Sequence, residues 1–205
     1  MAEPTQKRLH LTRRLYKTLY PALMKAGKIF GLKARIERNI NSVVPTLPFY
    51  SLKATANNGE EINFESFRGK KVLIVNTASS CGYTPQFSEL KLLHESYKDK
   101  LQVLGFPSNN FAEQEKGSDS EIAAYCVGTF GIQFPLMKKS DVIKSSEQNS
   151  VFEWLTHKEK NGWNDKEPDW NFSKYIINEQ GILTHCFGPG VSPMSKDVVH
   201  AIGRL

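Results

Sequence analysis

The sequence predicts an α/β fold, a central mixed β-sheet flanked by helices, behind an N-terminal basic helical extension. Three observations predict it. A continuous β-rich apolar run, Val72–Val75, is followed closely by a helix start at Thr84-Pro85, the pattern of a strand buried on both faces and leading into a crossover helix. Strand-like and helix-like stretches go on alternating after it. Charge is also segregated: residues 1–45 hold ten Lys/Arg against two acids and carry +8, whereas the other 160 residues are net −2.

Taken in order, residues 7–38 read as amphipathic helix. Leu11, Leu15 and Leu19 recur at four-residue spacing, as do Tyr16 and Tyr20, and Pro21 divides the run. Residues 39–48 are polar, contain Pro45 and Pro48, and read as a linker. The chain thus divides into an extension with its linker, residues 1–45, and a domain, residues 46–205, whose first strand starts near Phe49. Phe49–Ala54 and Glu61–Phe64 form a hairpin around Asn57-Asn58-Gly59. After Val72–Val75, Thr84 serves as N-cap and Pro85 as first residue of a helix with an inward stripe of Phe87, Leu90, Leu93 and Tyr97. Leu101–Phe106 is the next strand. Ser118 and Glu121 make a capping box for a helix with Ile122, Cys126 and Phe130 on one face. Leu136–Val142 is a weaker strand and Val151–Lys158 a short helix. Tyr175–Ile177 and Ile182–Phe187 pair around Asn178–Gly181, and Ser195–Leu205 closes the chain as a helix. Right-handed βαβ crossovers followed by a hairpin give a thioredoxin-like layout, with Cys81 at the turn from a central strand into a helix.

Composition narrows the function classes. The domain is nearly neutral, so the basic excess is no signal for nucleic acid. Three cysteines are too few for a disulfide framework and fit a reducing, cytoplasmic setting. No CxxC pair and no Cys/His cluster has zinc spacing, and neither metal nor cofactor is expected. The longest uncharged stretch of the basic segment, Thr18 to Met24, is far short of the ~20 residues that span a bilayer. Residues 7–38 fit a peripheral anchor on an anionic membrane, a segment packed on its own domain, or a solvated extension equally well. Their composition is also that of a mitochondrial transit peptide, which matters only in a eukaryote.

Cys81 lies where α/β sheets place reactive groups, at the carboxyl end of a strand and before a helix. Backbone N–H groups and the helix dipole favour an anion there, and a thiolate is both an anion and the reactive form of cysteine. A buried structural cysteine is the competing reading. Thr84 occupies the position a CxxC dithiol would need, which disfavours simple disulfide exchange. No motif ties His10, His94, His157, His185 or His200 to Cys81 as in a Cys–His hydrolase.

Three motifs in register carry a family resemblance. Val75-Asn76-Thr77-Ala78-Ser79-Ser80-Cys81-Gly82-Tyr83-Thr84 resembles the active-site signature of glutathione peroxidases. Leu104-Gly105-Phe106-Pro107-Ser108-Asn109-Asn110-Phe111, with Gln114-Glu115-Lys116-Gly117, resembles the second signature, and Asp169-Trp170-Asn171-Phe172 the third. The resemblance covers roughly residues 46–204. It implies a thiol peroxidase in which Cys81 attacks hydrogen peroxide or an organic or lipid hydroperoxide within a tetrad completed by Gln114, Trp170 and Asn171. It further implies that Cys126 resolves the Cys81 sulfenic acid, that thioredoxin or glutathione is the reductant, and that the protein is a monomer, since residues 143–169 lack the long insertion of tetrameric members. Ser108, Asn110 and Lys116 depart from common family residues at positions outside the tetrad. The same Cys81 would also serve a peroxide sensor that passes oxidation to a partner. Gly128 and Gly131 are expected to weaken the helix of Cys126, so that partial unwinding lets it reach Cys81, while Cys186 stays a bystander.

Overall fold

The computed structural model describes residues 35–203. Its sheet runs β1-β7-β6-β4-β5 and is mixed: β4 (Lys71–Thr77) and β5 (Leu101–Pro107) are parallel, while β6 (Lys174–Ile177), β7 (Leu183–Phe187) and β1 (Ile36–Arg38) add antiparallel neighbours. A separate hairpin joins β2 (Lys53–Thr55) to β3 (Glu61–Asn63). The helices are α1 (Gln86–Ser96), α2 (Asp119–Phe130), α3 (Ser150–Thr156), α4 (Lys158–Asn161) and α5 (Lys196–Ile202).

The apolar run of β4 is continuous because both faces are covered. Leu73 and Val75 join one core with Phe87, Leu90, Val103 and Ile122. Val72 and Ile74 join a second with Phe49, Leu104, Phe152 and Trp154. The period-2 alternation of a strand sends successive residues to opposite cores.

Several local expectations give way to tertiary pairing. Ile36–Arg38 closes the segment read as helical, yet it is an edge strand in which Ile36 faces Phe187 and Arg38 faces His185. Pairing with β7 outweighs the local helix preference of Glu37 and Arg38 there. Residues 7–34 lie outside the described residues. Phe49–Ser51 is a 3-10 turn that buries Phe49 and Tyr50 ahead of the hairpin. Leu136–Val142 makes only isolated bridges: Met137 N–H donates to Gly105 C=O at 2.8 Å, but by Lys139 the backbone has turned to the Asp119 carboxylate. That crossing is close because β5 carries glycine at 105, where a Cβ would stand 2.6 Å from Leu136. The helix read over Val151–Lys158 is broken at the extended His157 into α3 and α4.

Helix α2 is closed at both ends. Ser118 N–H and Oγ both donate to the Glu121 carboxylate at 2.8 Å, and Ser118 Oγ caps the Glu121 N–H. Gly131 sits past the C-terminus in the left-handed region, φ 63°, as a C-cap. It therefore terminates α2 rather than weakening its interior, and only Gly128 keeps the destabilising role expected of the pair. Ser118→Ala should lower stability by about 1 kcal/mol, read by chemical denaturation, with faster amide exchange confined to α2; unchanged exchange there would show that the cap does not hold the helix.

Candidate active site

Three segments meet beyond the carboxyl ends of β4 and β5. The first is the loop from Ala78 to Pro85. Its organiser is the buried Thr84, whose hydroxyl donates to Ala78 C=O at 2.8 Å and accepts from Cys81 N–H at 3.0 Å. Thr84 thus pins the loop on both sides of Cys81 and is not the helix N-cap; Pro85 precedes α1 in that position. Cys81 is 1% exposed, with the Tyr83 N–H 3.4 Å from its sulfur. Burial pushes its thiol above the ordinary value. Donors from Tyr83, Trp170, Asn171 and Gly82 pull the other way without overcoming it.

The second segment follows β5. Ser108 Oγ donates to Asn110 Oδ1 at 2.7 Å, and that same oxygen accepts from Val142 N–H, so these two departures from common family residues satisfy each other. Asn109 Oδ1 accepts from Glu115 N–H at 2.9 Å and closes the loop between them. Ser80 N–H donates to Gln114 C=O at 3.1 Å, joining this segment to the Cys81 loop.

The third segment is Trp170–Ser173. Asn76, fully buried in β4, shapes it: its amide donates to Trp170 C=O at 3.1 Å, and its Oδ1 accepts from Ser173 N–H at 3.0 Å. Phe172 is held at φ 67°, a conformation side-chain-bearing residues rarely adopt. The Trp170 ring packs on Phe111 at 5.5 Å. Asn171 is buried and donates to Gln114 Oε1 at 3.1 Å, while its own Oδ1 has no partner.

The structure therefore brings Cys81, Gln114, Trp170 and Asn171 together. Cys126 shares a core cluster with Cys81 but lies inside the folded α2, and the two thiols are not bonded. Burial, with a smaller push from the Glu115 charge, raises the Cys126 thiol to about 12. Cys186 lies in the other cluster, its thiol also raised by burial. Among the described histidines, His94 packs on Phe134, His157 bonds Glu153 C=O and His185 bonds Thr184.

Sequence reasoning gave no role to three polar residues at the site: Asn76, Glu115 and Lys174. The Lys174 ammonium is fully buried and donates to Gln86 Oε1 at 2.8 Å and Phe172 C=O at 2.7 Å, tying the start of α1 to the Asn171 turn. Burial lowers its pKa to about 7. A polar residue closing an apolar strand, as Asn76 does, is the one cue that could have been read.

Comparison with known proteins bears on the sequence and the fold. The glutathione peroxidase family model matches residues 49–156. Glutathione peroxidase-like peroxiredoxin 2 of Saccharomyces cerevisiae is 40% identical over 153 residues, covering 74% of this chain and 94% of its own. The solved T. cruzi GPX1 structure superimposes with a TM-score of 0.56 at 27% identity, over 77% of this chain and 99% of its own. A thiol:disulfide interchange protein of the thioredoxin family from Chlorobium tepidum shares the fold, with a TM-score of 0.54 at 18% identity over 78% and 97% of the two chains. By its sequence and by the thioredoxin-like fold that carries it, the chain belongs to the glutathione peroxidase family and is a peroxidase.

Proposed function

We propose that Cys81 is the peroxide-reacting thiol and that it works with Gln114, Trp170 and Asn171. What carries this reading is the convergence on one buried sulfur of donors from two segments, Gly82 and Tyr83 of its own loop and Trp170 and Asn171 of another, with Gln114 accepting from Asn171. Neutral donors stabilise a developing thiolate, and the departing alkoxide, without placing a fixed charge in the site. The Asn171 oxygen, buried and unpartnered, is an acceptor for the hydroperoxide O–H. The sulfur attacks one peroxide oxygen and the O–O bond breaks. Cys81 becomes a sulfenic acid, and the thiol proton leaves with the other oxygen as water or alcohol.

Cys126 completes the cycle in this reading. Its thiol attacks the sulfenic sulfur, the disulfide forms, and the hydroxyl departs with the Cys126 proton as water. A dithiol protein such as thioredoxin, or glutathione, then reduces the disulfide. Cys126 can do this only after the end of α2 opens, because its pKa of about 12 keeps it protonated in the folded helix. Cys186 sits in the opposite core and is left out of the exchange.

The basic N-terminal segment is proposed to hold the enzyme at an anionic membrane surface. Support comes from the +8 charge of residues 1–45, of which +7 lies before Arg35. No helix among the described residues is long and apolar enough to cross a membrane.

Cys81→Ser should abolish peroxide turnover while the fold stays intact, and Asn171→Ala should slow the reaction with peroxide by about 10²–10³; stopped-flow rates with peroxide check both, and a retained rate in Cys81→Ser would end the assignment. Cys126→Ser should react with the first equivalent of peroxide at the wild-type rate, accumulate Cys81 sulfenic acid and lose turnover with thioredoxin. Mass spectrometry of the wild type should find the Cys81–Cys126 bridge, and a bridge to Cys186 would refute this route. Vesicle sedimentation should show anionic liposomes retaining the full chain and releasing a version that begins at Arg35, which keeps β1; equal retention would remove the anchor.

A further inference from the structure

Glu115 is a buried acid that the chemistry above does not use. It is 2% exposed, yet it lies next in sequence to Gln114 and reaches across to the loop of Cys81. Its Oε2 accepts from both Ser79 N–H, at 2.8 Å, and Ser79 Oγ–H, at 3.0 Å. Its own N–H is held by Asn109 at 2.9 Å. With the Ser80 N–H to Gln114 C=O bond, these contacts dock the Gln114 segment onto the two residues that precede Cys81. The turn leading into the clamp includes Ala112 and Glu113, both at φ 50°, so its shape depends on such external ties.

We propose that Glu115 is a positioning residue for Cys81: its carboxylate grips Ser79 and thereby sets both the sulfur and Gln114 relative to one another. The inference rests on the reading of Cys81 as the reacting thiol. One oxygen serves two donors, which suits the ionised acid; protonation weakens that acceptor and adds an O–H needing a partner of its own. The charged and titratable groups acting on Glu115 are few. Lys139, on the segment after α2, donates to the Glu115 and Gly117 carbonyls, and its charge favours the carboxylate. Cys126, on α2, lies within reach of the Glu115 charge. Burial dominates and lifts the acid to about 7. The grip therefore tightens as pH rises through about 7 and loosens below it, while the Cys81 thiol ionises at higher pH.

The test compares wild type, Glu115→Gln and Glu115→Ala in two reactions of Cys81: oxidation by hydrogen peroxide, and alkylation by a small electrophile followed on the Cys81 peptide by mass spectrometry. Each is measured on both sides of pH 7, with far-UV circular dichroism confirming the fold. Both variants should slow peroxide oxidation by about tenfold to a hundredfold. The wild type should show an inflection near 7 in both reactions, separate from thiol ionisation, and Glu115→Gln should lack it. A merely structural acid would lower stability without shaping that pH profile. Should Glu115→Ala fail to fold, Glu115→Gln decides alone. Wild-type rates and an unchanged inflection in Glu115→Gln overturn the proposal. Alkylation that follows the predicted pattern while peroxide leaves Cys81 reduced would support the positioning role and refute the peroxidase assignment of Cys81, so the two failures are told apart.

Discussion

A sulfur sealed from water becomes an anion only where hydrogen-bond donors replace the lost solvent, and that constraint organises the molecule around Cys81. Desolvation raises the thiol, and the backbone of Gly82 and Tyr83 with the side chains of Trp170 and Asn171 works against it. The donors come from two loops, Gly82 and Tyr83 from one and Trp170 and Asn171 from the other. They must be brought in by loops, and a loop holds a donor only as firmly as its own backbone is held. The sheet supplies the fixed points: β4 carries Cys81 on its outgoing loop, and β5 carries the Gln114 segment on the loop beside it.

Polar residues buried among apolar ones do the rest of the holding. Thr84 closes the Cys81 loop, Asn76 shapes the Trp170–Ser173 turn, and Lys174 ties that turn to α1. Each would be expensive to bury alone and is tolerable because its hydrogen bonds are met within the site. Asn171 Oδ1 breaks the pattern, since it is buried and unmet. Under the proposed role of Cys81, this unmet acceptor is the hydrogen bond left for the substrate.

Much of this was legible in the sequence, and the boundary is physical. Periodicity marks elements whose partners are generic, so β4, α1 with its Phe87, Leu90 and Leu93 stripe, the capping box of α2 and the β6–β7 hairpin all follow from local pattern. Pairing with a distant strand leaves no local trace. Ile36–Arg38 is a strand because β7 lies beside it, and nothing in those three residues says so. Thr84 was legible as a residue that satisfies backbone, but whether it serves the helix or the loop depends on where Ala78 and Cys81 stand. Glu115 and Lys174 look like ordinary surface charges until tertiary structure closes over them. The motifs mark residues that the fold brings together, whereas the supports around them are set by contacts between residues far apart in the chain.

The position of Cys126 sets protection against use. Inside α2 it is shielded from solvent, and its raised pKa keeps it from acting as a nucleophile. In a two-cysteine cycle the helix must then open, and its construction favours one end. The capping box at Ser118 anchors the N-terminal turn through bonds to a charged carboxylate. The last turn is held by the Gly131 N–H to Val127 C=O bond and a longer contact from Ile132 to Cys126 C=O, and it contains Gly128 and the exposed Val127. Releasing residues 126–130 would free the thiol while leaving the first two turns in place. The weaker end is thus the one that the proposed cycle would move, and because the Ile132 bond falls on the Cys126 carbonyl itself, freeing the cysteine and undoing the helix terminus would be one event.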